Sequence, residues 1–482
     1  MMGLFFYYFT KFADHFILIY SGLLFLTYFI LSTVSAREMI NYLRKNSFID
    51  YRDMLTAPSA PSISIIAPAY NESKTIVENV RSLLNIHYVN FEVIIINDGS
   101  KDNTLQQIID AYELEKVPYA FDQKLPCKNI RGVYKSRIPS LSKLTVVDKE
   151  NGGKADALNA GINISRYELF AAIDVDCILE YESLLKMVKP FMEERGDRQV
   201  IAVGGVVRIA NSCEVQDGKI IRVNLPKQII PRVQVLEYIR AFLLGRMAWS
   251  RLNGLILISG AFGMFDKKIA IAAGGYNHKT VGEDMELVIR MRRYMEELDK
   301  KYRVVYLPDP LCWTEAPDNL KILGKQRNRW TRGTAETLWL HKKLIFNPRY
   351  GFLGTISMPF WFLFEWLAPI VESLAFFYLI VMTFLGIINV ELFVTLFFLI
   401  YVFAILYSTS AILFEEFSYH QYKKKRDIFR LLGTALIEPI IIHPLNVYYA
   451  VRGNLDLLTG VKNWGEMKRT GFAASKVATA KK

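Results

Sequence analysis

"FAAIDVDCIL" (Phe170–Leu179) is a run of small and apolar residues that reads as a buried strand, and it carries two carboxylates one residue apart, Asp174 and Asp176. On one strand, positions i and i+2 point to the same side, so both carboxylates emerge together. Like charges this close raise each other's pKa, which a cation between them relieves. Hard oxygen ligands open to water suit Mg2+ or Mn2+, ions that take one or two protein carboxylates and complete their shell with substrate phosphates. A turn capping the following helix is the plainer reading of the same residues.

Working outward, further β-rich runs ("SISIIAPAY", "FEVIIINDG", "KLTVVDK", "QVIAVGGVVRI", "RVVYLPDP") alternate with helical patterns at Thr75–Leu84 and Asn103–Glu113. Such alternation predicts an α/β domain, a mostly parallel sheet with helices on both faces. Ligands then sit beyond the carboxyl ends of the strands. Three strands end in polar residues there: "APAYNES", "INDGSKDNT" and the Asp174–Asp176 pair.

With 52% hydrophobic and 13% aromatic residues over 482 positions, the chain can bury more than one core. Its four cysteines lie far apart with no C-x-x-C pair, which argues against a disulfide framework or a zinc site. A net charge of +12 points to anionic partners. The basic residues flank apolar segments instead of forming one stripe, which excludes nucleic acid.

"HFILIYSGLLFLTYFILSTVSA" (His15–Ala36) is uncharged and long enough to cross a bilayer. Val34-Ser35-Ala36 is a plausible cleavage site, but Arg37, Arg44, Lys45 and Arg52 follow the segment, so a retained anchor with a cytoplasmic continuation is expected. Pro359–Leu385 and Ile387–Leu413 are further spans, separated by "YKKKRDIFR" from a third stretch containing Pro439, His443 and Pro444. If that stretch spans, the tail cations Lys462, Lys468, Arg469, Lys476, Lys481 and Lys482 fall outside, against the positive-inside rule. Glu365 and Glu372 share one helical face, which lines a polar channel, or else Pro359–Ala368 lies flat with Glu365 at headgroup level and Pro369 marking the bend. The expected division is an anchor (about 14–36) and linker over 1–61, a catalytic domain over 62–346, and interfacial and transmembrane helices with a basic tail over 347–482.

"KENGGKADALNAG" (Lys149–Gly161) fails as a P-loop, since Asp148 and Ala155 stand where Gly and Ser or Thr are required. What remains is a Gly pair beside Lys154 at a helix start, able to receive a diphosphate. In "TVGEDMELVIRMRRY", Glu283 and Asp284 are either dipole partners of a helix start or a general base. "KQRNRWTRG" (Lys325–Gly333) gathers cations around Trp330, as a membrane-surface helix or as a diphosphate and sugar contact.

Taken in order, "PAYNE" (Pro68–Glu72), Asp98 in "NDGS", "GGKADALN" (Gly152–Asn159), Asp174-Val175-Asp176, "SGAFGMF" (Ser259–Phe265), "GED" (Gly282–Asp284) and "QRNRW" (Gln326–Trp330) resemble the membrane-bound processive family 2 glycosyltransferases. These are the cellulose, hyaluronan, chitin-oligosaccharide and poly-N-acetylglucosamine synthases. The resemblance covers roughly Pro61 to the end of the chain and implies a GT-A fold docked on a membrane channel. It implies that Tyr70 and Asp98 hold the uracil of a UDP-sugar with Glu72 close by, and that Lys154 and Arg329 contact the diphosphate. Asp174 lies near the nucleotide and Asp176 binds the metal, Mg2+ or Mn2+. Asp284 takes the proton from the acceptor hydroxyl, Trp330 stacks on the terminal sugar of the growing chain, and Gln326 shares that helix. Many relatives have Thr where this chain has Gly282, which loses a hydroxyl near the acceptor.

The expected activity is inverting, processive synthesis of a linear β-glycan and its passage across a bacterial cell membrane, with membrane lipid as a further partner. A β-glucan from UDP-glucose is the leading product, and an N-acetylglucosamine or hyaluronan-type polymer the alternative. A non-processive transfer to a lipid carrier and an inactive glycan- or nucleotide-binding protein are the competing readings. Accessory export subunits are left open.

Overall fold

The computed structural model describes residues 2–46, 60–193, 197–216 and 218–460. Arg52 and the tail cations from Lys462 onward lie outside the described residues, as does most of the expected linker.

Twelve strands are described: β1 (Ile63–Ala69), β2 (Phe91–Asp98), β3 (Leu114–Val117), β4 (Ile130–Ser136), β5 (Leu144–Lys149), β6 (Leu169–Ile173), β7 (Ile178–Leu179), β8 (Gln199–Ile209), β9 (Glu214–Gln216), β10 (Lys219–Arg222), β11 (Phe262–Asp266) and β12 (Tyr302–Thr314). Ten of them form one sheet in the order β3-β4-β5-β2-β1-β6-β11-β8-β12-β7, while β9 and β10 pair as a separate hairpin. The centre, β5-β2-β1-β6, is parallel. Antiparallel β11 joins it to β8 and β12, which are parallel to each other. The central strands are buried along almost their whole length, which is why they read as continuous Ile/Val runs and not as alternating patterns.

The longer helices are α1 (Met2–Asn46), α2 (Ile76–Leu84), α3 (Thr104–Tyr112), α4 (Lys154–Ile164), α5 (Ser183–Glu193), α6 (Ile229–Ile239), α7 (Glu283–Glu297), α8 (Leu320–Leu340), α9 (Ala368–Phe384), α10 (Val390–Ser418) and α11 (Lys425–Leu458). Gly161 of α4 packs directly on Ile66 of β1: a Cβ there would lie 2.2 Å from Ile66 Cγ2. That close approach sets α4 against the sheet, with its first residue, Lys154, beyond the strand ends.

Four helical stretches are long and apolar enough to cross a membrane: Tyr7–Asn46, Leu353–Phe384, Val390–Ser418 and Lys425–Leu458. The third apolar C-terminal stretch is thus part of one continuous helix, α11, which carries Pro439 and Pro444 in its interior. The residues around the plausible cleavage site lie within α1, where Ser35 is buried and its hydroxyl donates to the Leu243 carbonyl. Beyond it, the Tyr42 hydroxyl meets the Asp309 carboxylate, and Lys45 Nζ lies 2.8 Å from Glu193 Oε2.

The sheet and the membrane helices are joined by buried charge. Arg208 of β8 pairs with Glu415 of α10, both nearly inaccessible. Arg240 reaches Glu438 Oε2 of α11 at 3.0 Å and Ser408 Oγ of α10 at 2.9 Å.

Candidate active site

The loops after β1 and β2 are tied together. Asn71, at a φ of 56°, accepts from the Lys101 amide at 2.8 Å through its Oδ1, and the Glu72 amide donates to Thr104 Oγ1 at 2.8 Å. This leaves Tyr70 exposed at the carboxyl end of β1. Glu72 accepts from the Thr75 hydroxyl at 3.4 Å.

Asp98 ends β2 and is buried. Its Oδ1 lies 2.6 Å from Lys149 Nζ and 3.0 Å from the Gly152 amide, while Oδ2 accepts from the Gly153 amide at 2.8 Å. Lys149 is wholly buried and also pairs with Asp156 of α4. The carboxylate thus folds the glycine turn around itself. Gly153 needs its φ of +86°, and a Cβ on Gly152 would strike Asp156 Cγ at 2.4 Å. In this structure Asp98 therefore shapes the loop that delivers Lys154, a task separate from the uracil contact that the resemblance implies.

Lys154 is the hub. Its Nζ lies 2.5 Å from Asp174 Oδ1, 3.1 Å from the Gly260 carbonyl and 3.8 Å from Glu283 Oε1. Burial alone would lower its pKa, but Asp174, with Glu283 and Asp284 adding to it, holds the ammonium above the usual lysine range. On the far side of Gly260, its amide donates to Asp284 Oδ2 at 3.0 Å, and the Met285 amide donates to Oδ1 at 2.8 Å. Two backbone donors thus aim the Asp284 carboxylate. Burial, with the Asp284 charge beside it, pushes the Glu283 carboxyl above its ordinary value against the pull of Lys154 and Arg329.

Asp174, Asp176 and Cys177 offer ligand atoms that all lie within 4.8 Å of one another. Two hard carboxylates beside a lysine fit a divalent cation that also binds phosphate oxygens.

Helix α8 closes the site. Gly324 meets the Tyr449 ring of α11, where a Cβ would come within 2.7 Å, and Asn328 Nδ2 donates to Asp456 at 2.7 Å. Gln326, Arg329 and Trp330 project from this clamped helix into a cavity of about 1290 Å3 whose walls also include Lys154, Asp174 and Asp284. The Arg327 guanidinium covers one face of the Trp330 ring, 4.6 Å from its centroid. Tyr70, Glu72, Asp98 and Asp176 are not among the residues lining that cavity.

The same cavity continues between the membrane helices, past Tyr28, Glu365, Glu372 and His443. Glu365 and Glu372 both face it, as one of the two sequence expectations required. The Tyr28 hydroxyl lies 3.3 Å from Glu365 Oε1, and Glu372 Oε2 lies 2.9 Å from His443 Nε2. Lys149 and Asp156 escaped the sequence reading, although the Lys-x6-Asp spacing around the Gly pair was its available signal. Nothing in the sequence marked Arg246 or Trp361, which also line the cavity.

Comparison with known proteins agrees with this geometry. Residues 64–123 match the family described as Glycosyl transferase family 2, residues 127–333 Glycosyltransferase like family 2, and residues 276–422 Chitin synthase. A poly-beta-1,6-N-acetyl-D-glucosamine synthase of Staphylococcus aureus (strain COL) is 30% identical over 279 residues, 57% of this chain and 55% of the relative. The Staphylococcus epidermidis protein of that name is 29% identical over 277 residues, with the same coverage. The chain thus spans about half the length of the curated relatives it matches. Among solved structures, a mannosyltransferase from Pyrobaculum calidifontis in complex with GDP-Man and Mn2+ aligns with 91% of this chain and 100% of its own, at 15% identity and a TM-score of 0.49. A glucosyl-3-phosphoglycerate synthase from Mycobacterium tuberculosis covers 60% of this chain and 85% of its own, at 16% identity and a TM-score of 0.36. By the sequence matches that run through the strand-end motifs and the helix bearing Trp330, the chain belongs to the family 2 glycosyltransferases.

Proposed function

We propose that this protein is a processive, inverting β-glycosyltransferase that polymerises a UDP-sugar and passes the product through the membrane. The observation that carries the reading is the cavity, which runs without interruption from Lys154, Asp174 and Asp284 to Glu365, Glu372 and His443 between the membrane helices. A transferase acting once on a small soluble acceptor has no use for a cavity that continues between the membrane helices.

In the proposed reaction the Asp284 carboxylate accepts the proton of an acceptor hydroxyl as that oxygen attacks C1 of the donor sugar. The bond from C1 to the diphosphate oxygen breaks, and UDP leaves with the electron pair, inverting the anomeric centre. Lys154 and Arg329 supply fixed positive charge where the leaving group becomes more negative. Trp330 and Gln326 hold the acceptor end. Asp176, with Asp174, would hold a divalent cation, which when bound adds Lewis-acid stabilisation of the diphosphate. Tyr70, Glu72 and Asp98 are assigned to the nucleotide end, beyond β1 and β2.

The N-acetylglucosamine polymer replaces the β-glucan expected from sequence as the leading product. Support comes from the relatives named poly-beta-1,6-N-acetyl-D-glucosamine synthase. The cavity wall adds a physical argument. Its membrane part carries Asp14, Glu365, Glu372 and Glu438 against Arg240, Arg246 and His443. These charges balance almost one for one, which suits a neutral polymer better than a uronic-acid one.

The test is turnover of UDP-N-acetylglucosamine, UDP-glucose and UDP-glucuronate by the purified protein with Mg2+ or Mn2+. UDP release is followed, and the product is digested with linkage-specific glycosidases. A long polymer from UDP-N-acetylglucosamine alone is expected. Transfer of a single sugar, or turnover of UDP-glucuronate into polymer, would refute the reading.

A further inference from the structure

Between β11 and α7 the chain doubles back through Gly274 and Gly275, at φ values of 98° and 67°. A Cβ on Gly275 would lie 2.6 Å from Asn159 Oδ1, so the turn sits hard against α4. Asn159 is wholly buried, and its amide grips the next residue at both backbone groups. Its Oδ1 accepts from the Tyr276 amide at 2.7 Å, and its Nδ2 donates to the Tyr276 carbonyl at 3.0 Å and to the Pro126 carbonyl at 3.2 Å. From α7, the Arg290 guanidinium donates to the carbonyls of Ala273 and Gly275. Two helices therefore fix this turn.

What they fix is a phenol beside the reacting groups. Tyr276 is buried and lines a cavity of about 10 Å3 together with Lys154, Gly260, Glu283 and Asp284. That is about the smallest space that holds one water molecule, and the residues around it carry an ammonium, a phenol and two carboxylates. Burial, with the charges of Glu283, Asp284 and Asp174 nearby, pushes the Tyr276 hydroxyl well above its ordinary value. The group thus stays a neutral phenol, able to donate at every working pH. Its ring belongs to the apolar core, a task that needs no hydroxyl, and a buried tyrosine hydroxyl ordinarily has a hydrogen-bond partner. Tyr276 is not among the residues lining the large cavity, so any effect on the reaction passes through its neighbours and not through the substrate.

We propose that Tyr276 is a positioning residue for Asp284: its phenol, with one water in the small cavity, supplies a fixed donor that keeps the carboxylate aimed and ready to accept a proton at the start of each transfer. The proposal rests on the reading of Asp284 as the base and deepens it. The amides of Gly260 and Met285 already hold the two carboxylate oxygens. The phenol adds a side-chain donor whose own place is set by Asn159 of α4, the helix that begins with Lys154. The diphosphate side of the site and the base are thereby registered on one element.

The test is Tyr276→Phe, which removes only the hydroxyl, in the full-length protein in nanodiscs. UDP release from UDP-N-acetylglucosamine with Mn2+ gives kcat and KM across pH. The affinity for UDP with Mn2+, by isothermal titration calorimetry, and the melting temperature are taken on the same preparations. Loss of a hydrogen bond to a charged group should lower kcat on the order of tenfold, while KM, UDP affinity and melting temperature hold. The acid limb of the kcat profile should move to higher pH, because a carboxylate that loses a donor is more easily protonated. Wild-type kcat and an unmoved acid limb in Tyr276→Phe would overturn the proposal and leave Asp284 as the base. A fall in UDP affinity or melting temperature that parallels the fall in kcat would show the hydroxyl to be structural and overturn it as well. Full activity of Asp284→Asn, or a wild type that binds UDP without turning over the donor, would overturn the reading on which the proposal stands.

Discussion

Gly282 and Gly333 meet backbone to backbone: a Cβ on Gly282 would lie 2.8 Å from the Gly333 carbonyl oxygen, and one on Gly333 would lie 2.8 Å from Gly282 Cα. The contact joins the turn bearing Asp284 to the helix bearing Trp330, so the departure from Thr at position 282 has a packing reason. The Val281 amide adds to the join by donating to Glu336 Oε2 of α8 at 2.9 Å. Gly282→Ala and Gly333→Ala should each destabilise the protein by about 1–3 kcal/mol, the usual cost of overpacking. Each should also slow transfer, because the proposed base Asp284 and the proposed acceptor platform Trp330 are forced apart. Thermal unfolding and UDP release check this, and unchanged values for both variants would show that the turn and helix yield freely.

Asp98→Ala should be more damaging than its distance from the reacting atoms suggests. It leaves buried Lys149 with only one of its two carboxylate partners and strips acceptors from the amides of Gly152 and Gly153. A loss of about 3 kcal/mol or more is expected, together with weaker UDP binding as the Lys154 loop loosens. Asp98→Asn, which keeps one acceptor oxygen, should fall between. Denaturation curves and UDP titration of the two variants measure the order.

Asp284 and Asp176 should fail in different ways. Asp284→Asn should retain UDP and metal binding but reduce sugar transfer on the order of 10²- to 10⁴-fold, as loss of the proposed general base would. Asp176→Asn should raise the concentration of Mn2+ or Mg2+ needed for half-maximal UDP binding. Chelation with EDTA should abolish transfer by the wild type and be reversed by added metal. Equal metal requirements in Asp176→Asn and the wild type would remove Asp176 from the metal site.

Glu283 should make stability depend on pH in a defined direction. Its carboxyl is held above the ordinary value of 4.5, so the fold prefers the protonated form. That contribution is fully present below the unfolded value and is lost as pH rises through the folded one. Glu283→Gln imitates the protonated form, so its melting temperature should pull ahead of the wild type across that window and coincide with it at lower pH. Parallel curves would show that Lys154 already neutralises the group.

The strand ends were readable because their chemistry is local. Small and polar residues break an apolar run at the point where the parallel strands β1, β2 and β6 finish, so Tyr70, Asp98 and Asp174 could be placed before any coordinates. Glu365 and Glu372 were readable too, since carboxylates in an apolar helix demand a polar environment. The pairings were not. Arg208 and Glu415 are 207 positions apart and neither has a local signature of its partner. Gly282 looked like a lost hydroxyl because its reason, Gly333, lies on another helix. The antiparallel placement of β11 between β6 and β8 was equally hidden, since strand direction leaves little trace in a short buried run. The sugar was least legible of all, because no residue type in the motifs separates a glucose pocket from an N-acetylglucosamine pocket.

The charge pairs between β8 and α10, and between Arg240 and α11, have a mechanical consequence. Pulling the sheet away from the bilayer helices would strand Arg208 with Glu415, and Arg240 with Glu438, each in an apolar setting without its counter-charge. Among the described residues the molecule therefore has no waist at which to bend, and rocking of one half on the other is costly. Under the proposed polymerisation, the product would have to slide through a stationary frame instead of being carried by one half.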